Sequence, residues 1–535
     1  MSDVKKLNIT IDGKALQVDG DKSVFQAASD AGIFIPHYCY HPDLSVAGVC
    51  RMCMVHIEKN PRLQISCNTP VTEGMVVETQ TDKVKESVKS TLELHLINHP
   101  LDCPICDKSG ECKLQDFYED YGLYPSRMEY EKVHKPKVVD IGTIVLDSER
   151  CILCTRCVRF TDEVTHTHEL GIFNRGDRSE LKTFDDARLH NDYTGNLADI
   201  CPVGALTAKD FRFQCRVWFL ERTESVCTLC ARGCNTTVSV NPQTDKLYRV
   251  EPRRNPEVNR SWICDTGRWE YNAVYSESRL QVPKRRVNEV PLETSWYEVF
   301  QILGERITQD PKRVFIGLST QMTNEEALDA ITTLGSMGVE QFGWIVDESV
   351  VEDRTAFDGV LKHRDLTANA MGVSWVAKRL KVPLKTAVEA HRVLSEGEMQ
   401  HVILLGLEGE AMPGVGPFLS KVPRNVTVVS HTSNAMVVLG GSEMLLPNTS
   451  SFEKSGTIQN ALGRVQKLNA SIASQYTARS VHGVVWGICQ GGDRVPVPLN
   501  RAQMLFESTL RPWLKDSALS WKKFPSLGIA AGEGA

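Results

Sequence analysis

Cysteine is the residue whose number and spacing could do chemistry in this chain. The chain has 535 residues and 17 cysteines, and every cysteine except Cys489 lies at or before position 264. Most of them form four compact groups, and one histidine precedes the second group at the spacing of a further ligand. In a reducing compartment, grouped thiols bind metal more often than they form disulfides. The pattern therefore predicts four metal centres in the first half of the chain.

The first group has the pattern C-x10-C-x2-C-x13-C. Its members are Cys39, Cys50, Cys53 and Cys67. They lie in and after an irregular segment, 33–53, in which Gly48 would let backbone N–H groups approach the sulfurs, as suits a [2Fe–2S] cluster. The spacing differs from the plant-type C-x4-C-x2-C, so a structural zinc site stays open as an alternative.

The second group has the pattern H-x3-C-x2-C-x5-C. Its members are His99, Cys103, Cys106 and Cys112. Three cysteines need a fourth ligand to hold a [4Fe–4S] cluster, and His99 stands at the end of a predicted helix; His95, one turn earlier, is its competitor. A neutral imidazole in place of a thiolate makes such a site one charge unit less negative, which raises its reduction potential.

The third group has the pattern C-x2-C-x2-C, formed by Cys151, Cys154 and Cys157. We predict Cys201 as the fourth ligand, because Cys201-Pro202 repeats the cysteine-proline ending of bacterial ferredoxin runs. Zinc sites usually pair cysteines two and two, so a compact triple favours a [4Fe–4S] cluster. Cys215 is the alternative fourth ligand.

Two features surround the third group. Cys215 lies in an apolar strip with Val217, Trp218 and Phe219, which predicts a buried structural thiol. Three arginines flank the group, and they either serve solvation and pairing or offset the negative charge of a cluster. These arginines are Arg150, Arg156 and Arg159.

The fourth group has the pattern C-x2-C-x3-C-x29-C, again a compact triple with one distant partner. Its members are Cys227, Cys230, Cys234 and Cys264. The four groups together assign fifteen cysteines and one histidine, so only Cys215 and Cys489 remain unassigned.

Periodicity predicts the elements that position the first two groups. Apolar residues alternate over 7–18 around the turn Asp12-Gly13, which indicates a β-hairpin. A short helix capped by Ser23 and ended by Gly32 follows, and an amphipathic helix over 83–96 leads into the second group.

Beyond about residue 273 the pattern changes to alternating strands and helices. Capping boxes at Ser295–Glu298 and Thr323–Glu326 each open a helix. Buried strands are predicted at 313–319, 401–407 and 426–430, and this alternation favours a parallel sheet covered by helices.

Composition excludes several classes of function. A net charge of -6 with a pI near 6.2 argues against a broad nucleic-acid surface, and no apolar run approaches the ~18 residues of a membrane span. The first residues lack the features of a secretory signal or transit peptide, so we expect a cytosolic, bacterial protein. Neither G-x-G-x-x-G after a strand nor G-x-x-x-x-G-K-[ST] occurs, so nothing signals NADH, flavin or ATP binding in this chain.

The four ligand sets in this order, with the stretch Cys-Pro-Val-Gly-Ala-Leu at 201–206, resemble the large iron–sulfur subunit of the peripheral arm of respiratory complex I, NADH-quinone oxidoreductase. The resemblance covers residues 5–285. Further on, Arg279-Leu280 with Pro283 and then Ser295-Trp296 look like the start of the molybdopterin-oxidoreductase fold. Ser455-Gly456-Thr457, Asn460 and Gly463–Gln466 look like a late motif of that fold.

The resemblance implies a multidomain fold that combines α+β and α/β parts. It comprises a β-grasp 2Fe-2S ferredoxin-like domain at 4–82, a His(Cys)3-ligated 4Fe-4S segment at 83–122, a ferredoxin-like 4Fe-4S domain at 140–218, a molybdopterin-oxidoreductase-type 4Fe-4S domain at 220–276, and a shortened molybdopterin-oxidoreductase-like α/β domain at 277–535. One [2Fe–2S] and three [4Fe–4S] clusters are implied, without molybdopterin.

The same resemblance implies a role. The first three sites would conduct electrons from a flavin-containing NADH-oxidising subunit towards the quinone-side iron–sulfur subunits, and the fourth would lie off that path. The chain would be a peripheral subunit on the cytoplasmic side of the inner membrane, with no substrate site of its own.

Two other classes remain as alternatives. The first half also fits the iron–sulfur subunit of an NAD-linked hydrogenase or formate dehydrogenase, because these systems share modules. Segment 277–535 is short for enclosing a pterin pair, and Cys489 alone could not carry an iron–iron active site. A zinc-stabilised scaffold is disfavoured by the two compact triples with distant partners.

Overall fold

The computed structural model describes residues 5–122, 125–345, 357–408, 415–434, 441–492, 498, 500–515 and 518–531. The chain divides into two compact units, Met1–Leu220 and Glu221–Ala535. The structure is a multidomain α+β fold with several separate sheets.

The first unit contains short strands and helices joined by long irregular segments. The strands are β1 Lys6–Ile11, β2 Lys14–Asp19, β3 Met54–Ile57, β4 Gln64–Ile65, β5 Val76–Glu78, β6 Val139–Asp140, β7 Ile144–Leu146, β8 Leu170–Phe173, β9 Glu180–Thr183 and β10 Leu206–Ala208. The helices are α1 Val24–Asp30, α2 Asp82–Leu96, α3 Lys113–Phe117, α4 Arg156–Glu163 and α5 Asn196–Ile200.

A five-stranded mixed sheet organises the start of the first unit, in the order β2-β1-β5-β3-β4. The predicted hairpin is confirmed, since β1 and β2 pair antiparallel around Asp12-Gly13. Helix α1 is confirmed as well: the Ser23 side chain accepts a hydrogen bond from the Gln26 N–H and the Gln26 side chain accepts one from the Ser23 N–H, so the helix has a full capping box. Gly32, just past the helix, has φ +73°, which glycine adopts without strain.

Short elements frame the later part of the first unit. Strands β10, β7 and β6 form a small antiparallel sheet, and β8 with β9 forms a hairpin. Helix α2 begins one residue before the predicted start, with Thr81 as its N-cap, and buries Val84, Val88 and Leu92 on one face. These elements bring the cysteine loops together, since the loops themselves are largely irregular.

The second unit contains the larger sheet. Its strands are β11 Glu221–Val226, β12 Asn235–Asn241, β13 Lys246–Pro252, β14 Lys284–Val287, β15 Val290–Glu293, β16 Val314–Leu318, β17 Gln341–Trp344, β18 Leu384–Lys385, β19 His401–Leu407, β20 Thr427–Thr432, β21 Met444–Pro447, β22 Gly456–Gln459, β23 Arg464–Leu468 and β24 Ile529–Ala530. Its helices are α6 Asp265–Trp269, α7 Trp296–Gln309, α8 Asn324–Ser336, α9 Ala370–Arg379, α10 Ala387–Ser395, α11 Val415–Ser420, α12 Val481–Gln490, α13 Arg501–Leu505 and α14 Arg511–Leu514.

The sheet of the second unit runs in the order β15-β14-β21-β20-β19-β16-β17-β18. Strands β21 to β18 pair in parallel, which confirms the predicted parallel sheet, and β14 and β15 add an antiparallel edge. Two apolar cores flank the sheet, because alternate residues of a strand point to opposite faces. Ile316 and Ile403 lie in one core, and Phe315 and Val402 lie in the other.

The two predicted capping boxes have different outcomes. Thr323 and Glu326 form a complete box at the start of α8. At α7, Ser295 does accept from the Glu298 N–H, but the prediction of a box is wrong, because the Glu298 carboxylate instead accepts from the Thr294 hydroxyl at 2.7 Å and pairs with Arg285.

No helix in the described part of the chain is both long and apolar enough to cross a membrane.

Candidate metal centres

The first four cysteines converge beside the five-stranded sheet. Cys39 and Cys50 come from the segment 33–53, which forms neither helix nor strand, Cys53 directly precedes β3, and Cys67 lies in a 3-10 turn after β4. All four are at most 4% exposed. The amide N–H and the hydroxyl of Ser66 both donate to the Cys53 carbonyl at 2.9 Å, which ties together the two cysteines that adjoin strands.

The first four thiols contact one another in two pairs. A hydrogen bond from the Cys50 thiol lowers the pKa of Cys39 to about 5, and one from Cys67 lowers the pKa of Cys53 to about 7. The negative charges of Cys39 and Cys50 also raise the pKa of Cys67, so the two pairs of thiols lie close enough to interact as one group. Backbone N–H groups of Val49 and Cys50 approach Cys39, directly after Gly48 with φ +64°. This is the amide approach that the sequence predicted at Gly48.

The three cysteines of the second group also lie close together. Cys106 interacts electrostatically with Cys103, and Cys112 with Cys106. Cys106 and Cys112 are at most 9% exposed, whereas Cys103, in the 3-10 turn Cys103–Ile105, is exposed. Burial raises the pKa of Cys112 to about 11, so positive charge nearby is needed to hold it as a thiolate.

His99 and His95 have different surroundings. The Nε2 of His95 lies 3.2 Å from the Cys50 carbonyl oxygen and its ring packs edge-on against Tyr38, so His95 is engaged at the first site. Burial lowers the pKa of His99 to about 4, which keeps its imidazole neutral, as a metal ligand must be. Arg150 is a charged neighbour of both His99 and Cys106. Burial lowers the pKa of His95 as well, so what distinguishes the two histidines is that the His95 ring is already in contact with the first site. Ligation by His99 stays a prediction.

The predicted ligands of the third group line one enclosed space. Cys151, Cys154, Cys157 and Cys201 surround a small cavity of about 10 Å³, together with apolar side chains of the β8–β9 hairpin. The triple wraps the cavity through two non-glycine residues in the left-handed region, Leu153 at φ +54° and Thr155 at φ +61°. Such backbone strain is found at functional sites more often than elsewhere.

Burial and mutual repulsion oppose negative charge on the third group of thiols. Burial and then the neighbouring thiols raise the pKa of Cys151 to about 12, and burial followed by Cys201 raises that of Cys154 to about 11. The Leu153 N–H donates to the Cys151 sulfur at 3.4 Å, which favours its thiolate. A cationic core between the four sulfurs would relieve the repulsion, so the donor set fits an iron–sulfur cluster.

The three arginines beside the third group are buried rather than solvated. Arg150, Arg156 and Arg159 are at most 9% exposed. Arg150 pairs with Asp102 at 3.0 Å and Asp147 at 3.2 Å. Of the roles predicted from the sequence, pairing therefore agrees with the structure and solvation does not, while the offset of cluster charge stays a prediction.

Helix α4 joins the third group to the first. From this helix Arg156 donates to the carbonyls of Tyr40 and Ile200, and Arg159 donates to those of Cys39 and Ser45. The Arg159 charge also acts on the thiols of Cys39 and Cys154. The sequence placed these arginines next to the third group only, and no local pattern connects them with a loop more than 110 residues earlier.

The fourth group sits at the end of a β-hairpin in the second unit. Cys227 follows β11, Cys234 precedes β12, and the Cys227 N–H donates to the Cys234 carbonyl at 2.9 Å. Cys264 caps α6, with its sulfur accepting from the Gly267 N–H at 3.4 Å. The thiols of this group interact electrostatically with one another, and burial raises the pKa of all four.

Residues of the α/β part complete the fourth site. The backbone N–H of His363 hydrogen-bonds the Cys230 thiol, and the charge of Lys362 acts on Cys264. Gly267 lies so close that a Cβ there would stand 3.2 Å from the Cys227 sulfur. Sequence spacing missed the segment at 362–363, because it lies about 100 residues beyond the last cysteine of the group and carries no cysteine itself.

One of the two unassigned cysteines differs from its expectation. Cys215 is partly exposed, and Trp218 and Phe219 are 58% and 53% exposed, so the prediction of a buried structural thiol is wrong. The physical reason is that Arg216 donates to the carbonyls of Cys106 and Pro104, which holds the strip along the second loop by polar contacts. Cys489, for which no role was predicted, is exposed.

All 17 cysteines lie within the described residues, and none of them is consumed by a disulfide. In the described part of the chain, no three His, Cys, Asp or Glu side chains are arranged so that they could bind a single metal ion.

Four family models match the cysteine-rich part of the chain, and every predicted ligand falls within one of them. Residues 4–82 match a 2Fe-2S iron-sulfur cluster binding domain, and 89–127 match the NADH-ubiquinone oxidoreductase-G iron-sulfur binding region. Residues 142–207 match the ferredoxin-like domain of NADH-quinone oxidoreductase subunit 3, and 220–272 match the NDSU1/NuoG-like 4Fe-4S domain of NADH-ubiquinone oxidoreductase. The chain therefore contains 2Fe-2S and 4Fe-4S cluster-binding domains that are similar to those of NADH-quinone oxidoreductases.

Curated relatives specify the class further. The chain is 36% identical over 348 residues to an NADH-quinone oxidoreductase subunit of Rickettsia felis, covering 64% of this chain and 51% of the relative. It is 37% identical over 338 residues to the NADH-ubiquinone oxidoreductase 75 kDa subunit of Reclinomonas americana, covering 62% and 48%. The chain is similar in sequence to these two subunits, and it spans about half the length of the curated relatives it matches.

A solved structure also matches. A chain from an NAD+-reducing [NiFe]-hydrogenase in the H2-reduced state has 30% sequence identity and a TM-score of 0.37, covering 39% of this chain and 91% of that chain.

Proposed function

We propose that the chain is an electron-transfer subunit of an NADH-quinone oxidoreductase and conducts electrons one at a time through buried iron–sulfur clusters. The observation that carries this proposal is that four tetrads of iron-type ligands, fifteen of sixteen of them cysteines, each lie within a matched cluster-binding domain or region. The third tetrad, which lines one cavity, supports it in the structure.

The proposed ligands follow the four groups. They are Cys39, Cys50, Cys53 and Cys67 for a [2Fe–2S] cluster, and for three [4Fe–4S] clusters His99, Cys103, Cys106 and Cys112; Cys151, Cys154, Cys157 and Cys201; and Cys227, Cys230, Cys234 and Cys264. When bound, these clusters supply one-electron redox chemistry.

The chain's own residues then control ligation and local charge. The thiols bind, and backbone N–H groups such as those of Leu153 and Gly267 donate to the sulfurs of Cys151 and Cys264. Such hydrogen bonds stabilise the more reduced state of a cluster, because they favour additional negative charge. Arg156 and Arg159 act in the same direction, since a buried positive charge near the thiolates is weakly screened.

Partners and location complete the proposal. The first three sites receive electrons from a flavin-containing NADH-oxidising subunit and pass them towards quinone-side iron–sulfur subunits, and the fourth lies off that path. The subunit is peripheral, on the cytoplasmic side of a bacterial inner membrane, and proton translocation is a property of the whole complex. The segment 277–535 acts as a scaffold without molybdopterin.

Metal analysis of the purified complex tests the cluster content. We expect about 14 iron and 14 sulfide per chain beyond the content of its partners, as one [2Fe–2S] and three [4Fe–4S] clusters require. Stoichiometric zinc would point instead to a structural scaffold, and stoichiometric molybdenum to a formate dehydrogenase-type enzyme. Either result would overturn the proposal.

A second test concerns the fourth ligand of the second group. His99→Cys is expected to lower the reduction potential of that cluster, because a thiolate adds one negative charge where the imidazole is neutral. An EPR-monitored redox titration of the complex measures the shift.

The matched control is His95→Gln, which removes the side chain engaged with the Cys50 carbonyl. It is expected to leave the second cluster's potential unchanged. An unchanged potential in His99→Cys, or loss of the second cluster in His95→Gln, would contradict ligation by His99.

A further inference from the structure

Gly204 occupies a position where an added side chain would meet the sulfur of Cys106. A Cβ built on Gly204 would lie 2.2 Å from the sulfur of Cys106, and 3.6 Å from the Cδ of Arg150. The φ angle of Gly204 is outside the left-handed region, so the backbone conformation is not what requires glycine. Glycine is needed at this position for space alone.

The contact joins the ligand loops of two different sites. Gly204 follows Cys201 of the third group by three residues, and Cys106 belongs to the second group. The Lys113 N–H, directly after Cys112, donates to the Pro202 carbonyl at 3.0 Å. The two loops therefore contact each other at both ends of the 106–112 segment.

Charged groups join the ligand segments of the same two sites at two further points. Arg150, which precedes Cys151, pairs with Asp102, which precedes Cys103, at 3.0 Å between Nη2 and Oδ2. Lys108 reaches the Ala198 carbonyl at 3.2 Å. These contacts fix the backbone of the second ligand loop beside Gly204, so the Cys106 backbone could not move away without breaking them.

We propose that Gly204 is a positioning residue that sets the approach of the second cluster to the third, by letting the Cys106 sulfur rest directly on the backbone of the Cys201 loop. This inference rests on the proposed function, since it requires Cys106 to be an iron ligand. A free thiol could rotate away from an added Cβ, whereas a sulfur bound to iron is held in place. The requirement for glycine is therefore strict only in the cluster-loaded protein.

Gly204→Ala in the complete complex tests the inference. We expect loss or a changed line shape of the second cluster's EPR signal, and loss of about four iron per chain if the cluster is not retained. The signal of the first cluster should remain. The matched control is Gly335→Ala in α8, where an added Cβ meets nothing within 4 Å, and all signals should remain unchanged.

A double-mutant cycle keeps the test decisive if Gly204→Ala disturbs more than one cluster. Cys106→Ala removes the sulfur that the new Cβ would meet, so adding Gly204→Ala to Cys106→Ala should cause no further loss of the third cluster's signal. If Gly204→Ala causes the same loss in both backgrounds, the effect does not act through Cys106 and the inference is wrong.

The outcomes separate the inference from the proposed function. A wild-type complex without a second [4Fe–4S] signal would contradict the proposed function. A wild-type complex with that signal, together with an unchanged signal in Gly204→Ala, would overturn the role of Gly204 and leave the proposed function intact.

Discussion

Cys151→Ala is expected to remove the EPR signal of one [4Fe–4S] cluster and to abolish quinone reduction by the assembled complex. Cys151 is one of four thiols that line a single cavity, and the three that remain give an incomplete ligand set. Because electrons would pass this cluster in series, its loss interrupts the whole path. EPR spectra of the NADH-reduced complex and the rate of NADH-dependent quinone reduction measure the two effects.

Two cysteine variants serve as comparisons for Cys151→Ala. Cys489 is exposed and unassigned, so Cys489→Ala should leave both the spectra and the rate unchanged. Cys227→Ala should mainly reduce assembly, because the fourth site is proposed to lie off the path. Full quinone reduction by Cys151→Ala would rule out an in-line role for the third site.

Lys454→Met is expected to destabilise the second unit by about 3–5 kcal/mol, the cost of breaking a buried ion pair from one side. Lys454 is 4% exposed, and its Nζ lies 3.2 Å from Glu326 in α8 and contacts Glu408, which follows β19. Burial alone would lower the pKa of Lys454, but the two carboxylates raise it above its usual value. Without the ammonium group, two buried carboxylates face each other uncompensated.

Denaturant unfolding followed by tryptophan fluorescence measures this loss, because eight of the nine tryptophans lie in the second unit. The control is Lys312→Met, which removes one side of an exposed pair with Glu340 at 3.4 Å. That pair should contribute no more than about 1 kcal/mol. Equal midpoints for the two variants would mean that the buried network adds no stability.

Local patterns predicted the regular elements well. Strand β19 has the predicted bounds, and the capping box at Thr323 opens α8 as expected, because apolar periodicity and cap chemistry are properties of adjacent residues. The failure at Ser295 has a local cause too, since the Glu298 carboxylate had a second acceptable donor in Thr294. A motif identifies which bonds can form, and the surrounding residues decide which one does.

The spacing of cysteines along the sequence predicted the four ligand groups, but it did not predict which distant residues contact them. Spacing within a loop limits which thiols can share a cluster, and the four thiols of the third group do lie around one cavity. The contact of the His363 amide with Cys230 and that of Arg159 with the Cys39 carbonyl join segments 133 and 120 residues apart. Such contacts depend on how the elements pack, which no window of sequence contains.

The two arginines of helix α4 have a consequence for how this part of the protein can be divided. Three family models cover the first unit as separate segments, as if it were assembled from interchangeable modules. Yet Arg156 and Arg159 reach from the third segment into the ligand loop of the first, and both are buried there. Excising the segment 4–82 would leave the guanidinium groups of Arg156 and Arg159 without these partners, and excising the segment 142–207 would leave the carbonyls of Tyr40 and Cys39 without theirs. Sequence therefore identifies the first and third segments separately, but a chimaeric protein that takes one of these two segments must also take the other.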